Sequence, residues 1–111
     1  MTNEFNHSEV FTYSKIIDYA DGGIVSRQII QRKNGNVTLF SFDKGQKLSE
    51  HKAPFGALVL IIEGDAEVLI NSVLFKLSTG QSIILPANVL HAVNATERFK
   101  MVLTMIKDNQ Q

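Results

Sequence analysis

The sequence predicts an all-β domain of about eight strands closed into a jelly roll or an up-and-down barrel, and three observations point to it. Turn-forming clusters recur at short intervals: Asp21-Gly22-Gly23, Asn34-Gly35-Asn36, Asp43-Lys44-Gly45, Glu63-Gly64-Asp65, Asn71-Ser72, Ser78-Thr79-Gly80 and Pro86-Ala87-Asn88. The runs between them are rich in Val, Ile, Leu, Phe and Thr, which suit a pleated, half-buried surface. No window keeps its apolar residues in helical register over several turns. Without helices to cover open edges, the strands must close on one another.

Taken in order, residues 1–9 are mostly polar and are expected to fray, and residues 10–20 fit one short helix or a loose edge strand. Strands are expected over residues 24–31, 37–42, 58–62, 66–70, 73–77, 82–85, 90–94 and 99–106. Asn34-Gly35 and Asn71-Ser72 read as hairpin tips, because Asn and Gly tolerate the positive φ that tight hairpins demand. Pro86 fixes φ and donates no hydrogen bond, so it fits the turn leading into the strand of His91. Residues 107–111 form a second polar tail. No repeat, linker or low-complexity tract divides the chain, so residues 1–111 read as one domain.

Composition limits the function. Eleven basic residues balance eleven acidic ones without clustering, so the field that gathers nucleic acid or anionic lipid is missing. Apolar residues make up 44% and charged ones 20%, the balance of a packed domain. Cysteine is absent, which removes disulfides and thiolate ligands and suits a reducing compartment. The start has no basic segment followed by an apolar run, and the apolar run 57–62 is too short to span a bilayer. A cytoplasmic protein that binds neither membrane nor nucleic acid is the expectation.

Two segments carry a more specific pattern: Gly45-Gln46-Lys47-Leu48-Ser49-Glu50-His51, continuing to Gly64, and Gly80-Gln81-Ser82-Ile83-Ile84-Leu85-Pro86, continuing to His91. Their spacing resembles the paired motif of the cupin superfamily. Gly45, His51, Gly64, Gly80, Pro86 and His91 fall on that pattern, and the match runs from Gly45 to Asn94. Four positions depart from it. Ala53 stands where a second His belongs, Ala57 where a Glu belongs and Asn88 where a Gly belongs, while Asn94 arrives one residue early. The resemblance implies a small single-domain cupin barrel, a double-stranded β-helix with a degenerate metal motif.

In metal-dependent cupins three histidines and a glutamate hold a divalent transition metal, and the resemblance leaves this chain His51 and His91 from that set. Imidazole suits Zn, Ni, Fe or Cu, but two neutral nitrogens do not fix the ion as a three-ligand site does. A metal held here would be weak, or completed by water or ligand oxygens.

Alternation sends His51, Ala53, Ala57, Val59 and Ile61 to one face and Glu50, Lys52 and Leu58 to the other. It turns Phe99, Met101, Leu103 and Met105 inward and leaves Arg98 and Lys100 facing water. The expected ligand-binding set is therefore His51, His91, Val59, Ile61, Phe99, Met101 and Met105, an apolar cleft with two imidazoles. No acidic partner lies in phase with Ser49 and His51, so serine hydrolysis is not expected. The carboxylates at Glu63, Asp65 and Glu67 read as a solvated hairpin tip, and Gly22-Gly23 lacks the context of a phosphate loop.

Three functions remain open: a small-molecule-binding barrel, a metal-dependent enzyme of oxygenase or isomerase type, and a non-catalytic sensory or interaction module. His51 and His91 also stand as ordinary polar members of a partly wet barrel. The continuous apolar runs 57–62 and 101–106 want burial on both faces, so a second copy is expected to cover them in a homodimer.

Overall fold

The computed structural model describes residues 5–107 and contains eight strands and a single 3₁₀ turn, Tyr13–Lys15. The strands are β1 (Ile24–Arg32), β2 (Gly35–Phe42), β3 (Lys47–His51), β4 (Gly56–Ile70), β5 (Val73–Ser78), β6 (Ser82–Leu85), β7 (His91–Asn94) and β8 (Phe99–Ile106). All pairings are antiparallel. One layer runs β1-β2-β8-β4-β6 and the other runs β3-β7-β4-β5.

β4 belongs to both layers. Its first half pairs with β8 and β6, and its second half pairs with β7 and β5. The sequence predicts two strands here with Glu63-Gly64-Asp65 as the tip of a turn; the structure has one strand instead. A register shift between Ile61 and Glu63 lets the strand bend from one layer to the other. Gly64 takes φ +79, and a Cβ there would collide with the backbone oxygen of Arg98, so only glycine fits.

The interior follows the alternation read from the sequence. Phe42, Val59, Ile61, Val68 and Phe99 are completely buried and share a core with Ala57, Leu85, Val93 and Met101. Burying each large apolar side chain stabilises the fold by roughly 1.5–3 kcal/mol. Phe42 and Phe99 are cross-strand partners on β2 and β8 and stack with ring centroids 4.5 Å apart, worth about 0.5–1.5 kcal/mol beyond area.

The turns match their residue types closely. Asn71 and Ser72 both have positive φ between Ile70 and Val73, and Asn88 stands at φ 61 where the motif has glycine. The first hairpin closes one residue earlier than expected, with Lys33 and Asn34 at the tip and Gly35 opening β2 opposite Arg32.

The segment before β1 is neither helix nor strand over most of its length. Phe5, Phe11, Tyr13, Ile16 and Ile17 pack on the outer face of the first layer, against Ile29, Leu39, Leu60, Ile62 and Val102. Part of the cover expected from a second subunit thus comes from the chain itself. Leu58, Ile84 and Ile106 of the same outer face remain exposed. Residues 1–4 and 108–111 of the expected tails lie outside the described residues, whereas Phe5 is held by a bond from its N–H to the Ile29 carbonyl and by the Phe11 ring.

Candidate functional site

His51 and His91 are direct cross-strand partners on β3 and β7, with ring centroids 4.4 Å apart in an edge-to-face arrangement. Two local features bring them together. On β7, His91 and Val93 are two residues apart and both buried, so His91 faces the interior. On β3, Leu48 packs against the core, and simple alternation from Leu48 would send His51 outward. A register shift between Leu48 and His51 brings its ring onto the side of the His91 ring instead, while His51 itself stays exposed to solvent. Ile70 of β4 is the other cross-strand partner of His91, so the row across this layer reads His51, His91, Ile70.

Each imidazole is anchored through Nδ1 to the backbone two residues before it. His51 Nδ1 lies 2.8 Å from the Ser49 carbonyl, and His91 Nδ1 lies 3.3 Å from the Val89 carbonyl. A carbonyl oxygen only accepts, so Nδ1 carries the proton on both rings, and Nε2 of each neutral ring is a lone pair. Among the described residues no side-chain nitrogen or oxygen sealed from solvent lacks a partner. The Nε2 of His91 has no protein partner, and it therefore opens onto accessible space. Burial, then the neighbouring His51, pushes the His91 pKa below the ordinary imidazole value, against the opposing pull of the Val89 carbonyl.

The other expected lining residues divide into two sets. Val59, Ile61, Phe99 and Met101 are sealed in the core and offer no surface to a ligand, while Met105 is only half-buried on the same face of β8, as is Leu103. Ala53 contributes a backbone carbonyl, which accepts a bond from the Asn88 N–H at 2.7 Å, and Ala57 is buried in the core. Among the described residues no group of three or more His, Cys, Asp or Glu is placed to hold a metal. The donor set of two imidazoles and no carboxylate falls short of a resident metal centre.

A second polar group was not foreseen. Lys100 is expected to face water but is buried, because the segment before β1 covers its face of β8. Its Nζ donates to the Ser14 carbonyl at 2.7 Å, lies 3.4 Å from Glu63 Oε2 and sits 4.9 Å from the Tyr19 ring centre. The Tyr19 hydroxyl donates to the same Glu63 oxygen at 2.6 Å. Burial raises the Tyr19 pKa, helped by that bond. Glu63 is therefore structural rather than part of a solvated tip. Next to it, Asp43 accepts bonds from the Gly22 N–H and from Arg98, and these hold its carboxyl down to about 2, the Gly22 bond contributing most.

Several surface depressions lie away from the histidines, and two of them adjoin the amino-terminal segment or the exposed apolar patch. One, of about 670 Å³, lies between the amino-terminal segment and β1, where Arg27 already donates to the Ile16 carbonyl and covers the Phe5 ring. The other, of about 500 Å³, is apolar and contains Leu58, Ile84 and Ile106. Neither is lined by His51 or His91; the histidine pair is the candidate site because it sets two imidazoles side by side, each with one ring nitrogen bonded to the backbone and one left over.

Among solved structures, the chain is similar to a conserved protein of unknown function from Streptococcus pyogenes at 33% identity, covering 97% of this chain and 95% of that one, with a TM-score of 0.91. It is 39% identical to a cupin 2 conserved barrel domain protein from Leptotrichia buccalis over 87% of this chain, with a TM-score of 0.85, and spans about half of that longer protein (47%). A conserved protein with a double-stranded β-helix domain from Klebsiella pneumoniae shares the fold at 20% identity and a TM-score of 0.78, with 95% of each chain covered. No functionally curated protein matches. A family model described as a cupin domain matches residues 38–107, which includes both histidines and all but the first strand and the start of the second, and the chain therefore belongs to the cupin-domain family.

Proposed function

We propose that this cupin binds a small organic molecule at the inner face of β3 and β7, with His51 and His91 as its polar contacts and half-buried apolar residues such as Ile70, Leu103 and Met105 around them. The observation that carries this reading is the pair of adjacent imidazoles with Nδ1 anchored and Nε2 left without a protein partner. A fragment library screened by NMR on ¹⁵N-labelled protein tests it. Hits are expected to shift the amides of His51, Ile70 and His91 and to lose binding in His51→Ala and His91→Ala. Hits confined to other surfaces would reject it.

Nδ1 anchoring is also the arrangement by which proteins orient metal-ligating imidazoles, and it favours a second reading: a metal-dependent oxygenase or isomerase. There Nε2 of each ring would hold a Zn, Ni, Fe or Cu ion whose remaining positions are filled by water or substrate oxygens. Stoichiometric metal in protein purified without added ions, lost in both alanine variants, would favour the enzyme.

The exposed Leu58, Ile84 and Ile106 support a homodimer that covers this remaining patch. Light scattering is expected to give twice the 12.4 kDa chain mass, and Ile84→Glu is expected to give the monomer. The absence of cysteine suits a cytoplasmic location.

A further inference from the structure

Resting on the reading of the histidine pair as a ligand site, we propose that its occupant is an uncharged, hydroxyl-bearing organic molecule that donates hydrogen bonds to Nε2 of His51 and His91, rather than a carboxylate or phosphate. The discriminating feature is where the two ring protons are. Both Nδ1–H groups are committed to the Ser49 and Val89 carbonyls, at 2.8 and 3.3 Å. A neutral imidazole has one donor and one acceptor, so the nitrogen each ring has left for a ligand accepts and does not donate. An anion brings only acceptors to that position and would meet two lone pairs. Two hydroxyls bring one proton to each ring.

The surroundings agree with this polarity. No Lys or Arg takes part in the row His51, His91, Ile70, and the buried Lys100 is already directed to Ser14, Glu63 and Tyr19 on the outer face. The one buried ammonium among the described residues is therefore spent elsewhere, and Lys47 and Lys52, on and beside the strand of His51, stand exposed in solvent. Ile70, half-buried beside His91 on β4, gives the body of the ligand hydrocarbon to face while its hydroxyls face the imidazoles.

The test uses the intact chain, treated with chelator and labelled with ¹⁵N, at neutral pH. Long-range ¹H–¹⁵N spectra are expected to show the Nδ1–H tautomer at both histidines. Adding 4-ethylcatechol, a phenol with two hydroxyls, is expected to move the Nε2 resonances of His51 and His91, whereas 4-ethylbenzoate, matched in its apolar part, is expected to bind at least about tenfold more weakly. An Nε2–H tautomer at either ring, or benzoate binding as tightly as the phenol at Nε2, would overturn the proposal while leaving the site itself standing. If neither probe moves either Nε2, the reading of the pair as a ligand site fails with it. The same spectra report whether the fold is intact, so loss of structure is not mistaken for loss of binding.

Discussion

The polar group around Lys100 and the histidine pair are both held by the same barrel, and they differ in what the chain leaves unmet. Lys100 directs its ammonium to a carbonyl, a carboxylate and an aromatic face, all supplied by the protein. Tyr19 and Glu63 complete each other beside it. Each histidine has one nitrogen satisfied and one open. A buried polar group whose valences are filled internally fixes structure; one that keeps a valence free can take a partner from outside. The contrast separates a clasp for the amino-terminal segment from the pair that we propose as a site.

The largest effect is expected where the clasp meets the bend in β4. Gly64→Ala places a Cβ against the Arg98 carbonyl at a left-handed φ, and urea unfolding should show a loss of about 2–4 kcal/mol. Next comes Lys100→Met, which keeps the apolar stem but removes the bond to Ser14. It should cost about 1–3 kcal/mol and speed amide exchange in residues 12–20, with no change at His51 and His91. If the histidine resonances move as much as the clasp does, the separation between the two regions is wrong.

A smaller, pH-dependent effect distinguishes the regions by their protons. The His91 pKa is lowered by burial and by His51, so the unfolded chain takes up the proton more readily than the folded one. The stability from this group is complete above the ordinary value of about 6.5 and is lost as pH falls below it. Asp43, also lowered, keeps its contribution above its ordinary value of about 3.9 and loses it only as pH falls toward about 2. Melting temperature followed down in pH should therefore decline first through His91, and His91→Phe should flatten that first decline while leaving the acid limb unchanged.

The strands and the histidine pair were legible because their signals are local or depend on spacing. Asn71-Ser72 makes its turn from its own torsional preferences, and the distances from Gly45 to His51 and from Pro86 to His91 carry the motif. Lys100 shows what such reasoning misses. Alternation correctly puts it on the outer face of β8, but which segment lies over that face is a tertiary fact. His51 is a similar case: its ring meets that of His91 only through an irregularity between Leu48 and His51 that no periodic pattern contains, and it stays exposed to solvent. Glu63-Gly64-Asp65 has the composition of a turn tip, and only the pairing partners on either side show that the chain bends there without reversing.

β4 carries a further consequence. Its 15 residues are one continuous backbone shared by both walls of the barrel, with Ile70 beside His91 at one end and the bend at Gly64 beside the Lys100 clasp. The two walls are thus not separate plates pressed together by their side chains. They are leaves joined along a spine, and any motion that parts them must load that spine at Gly64.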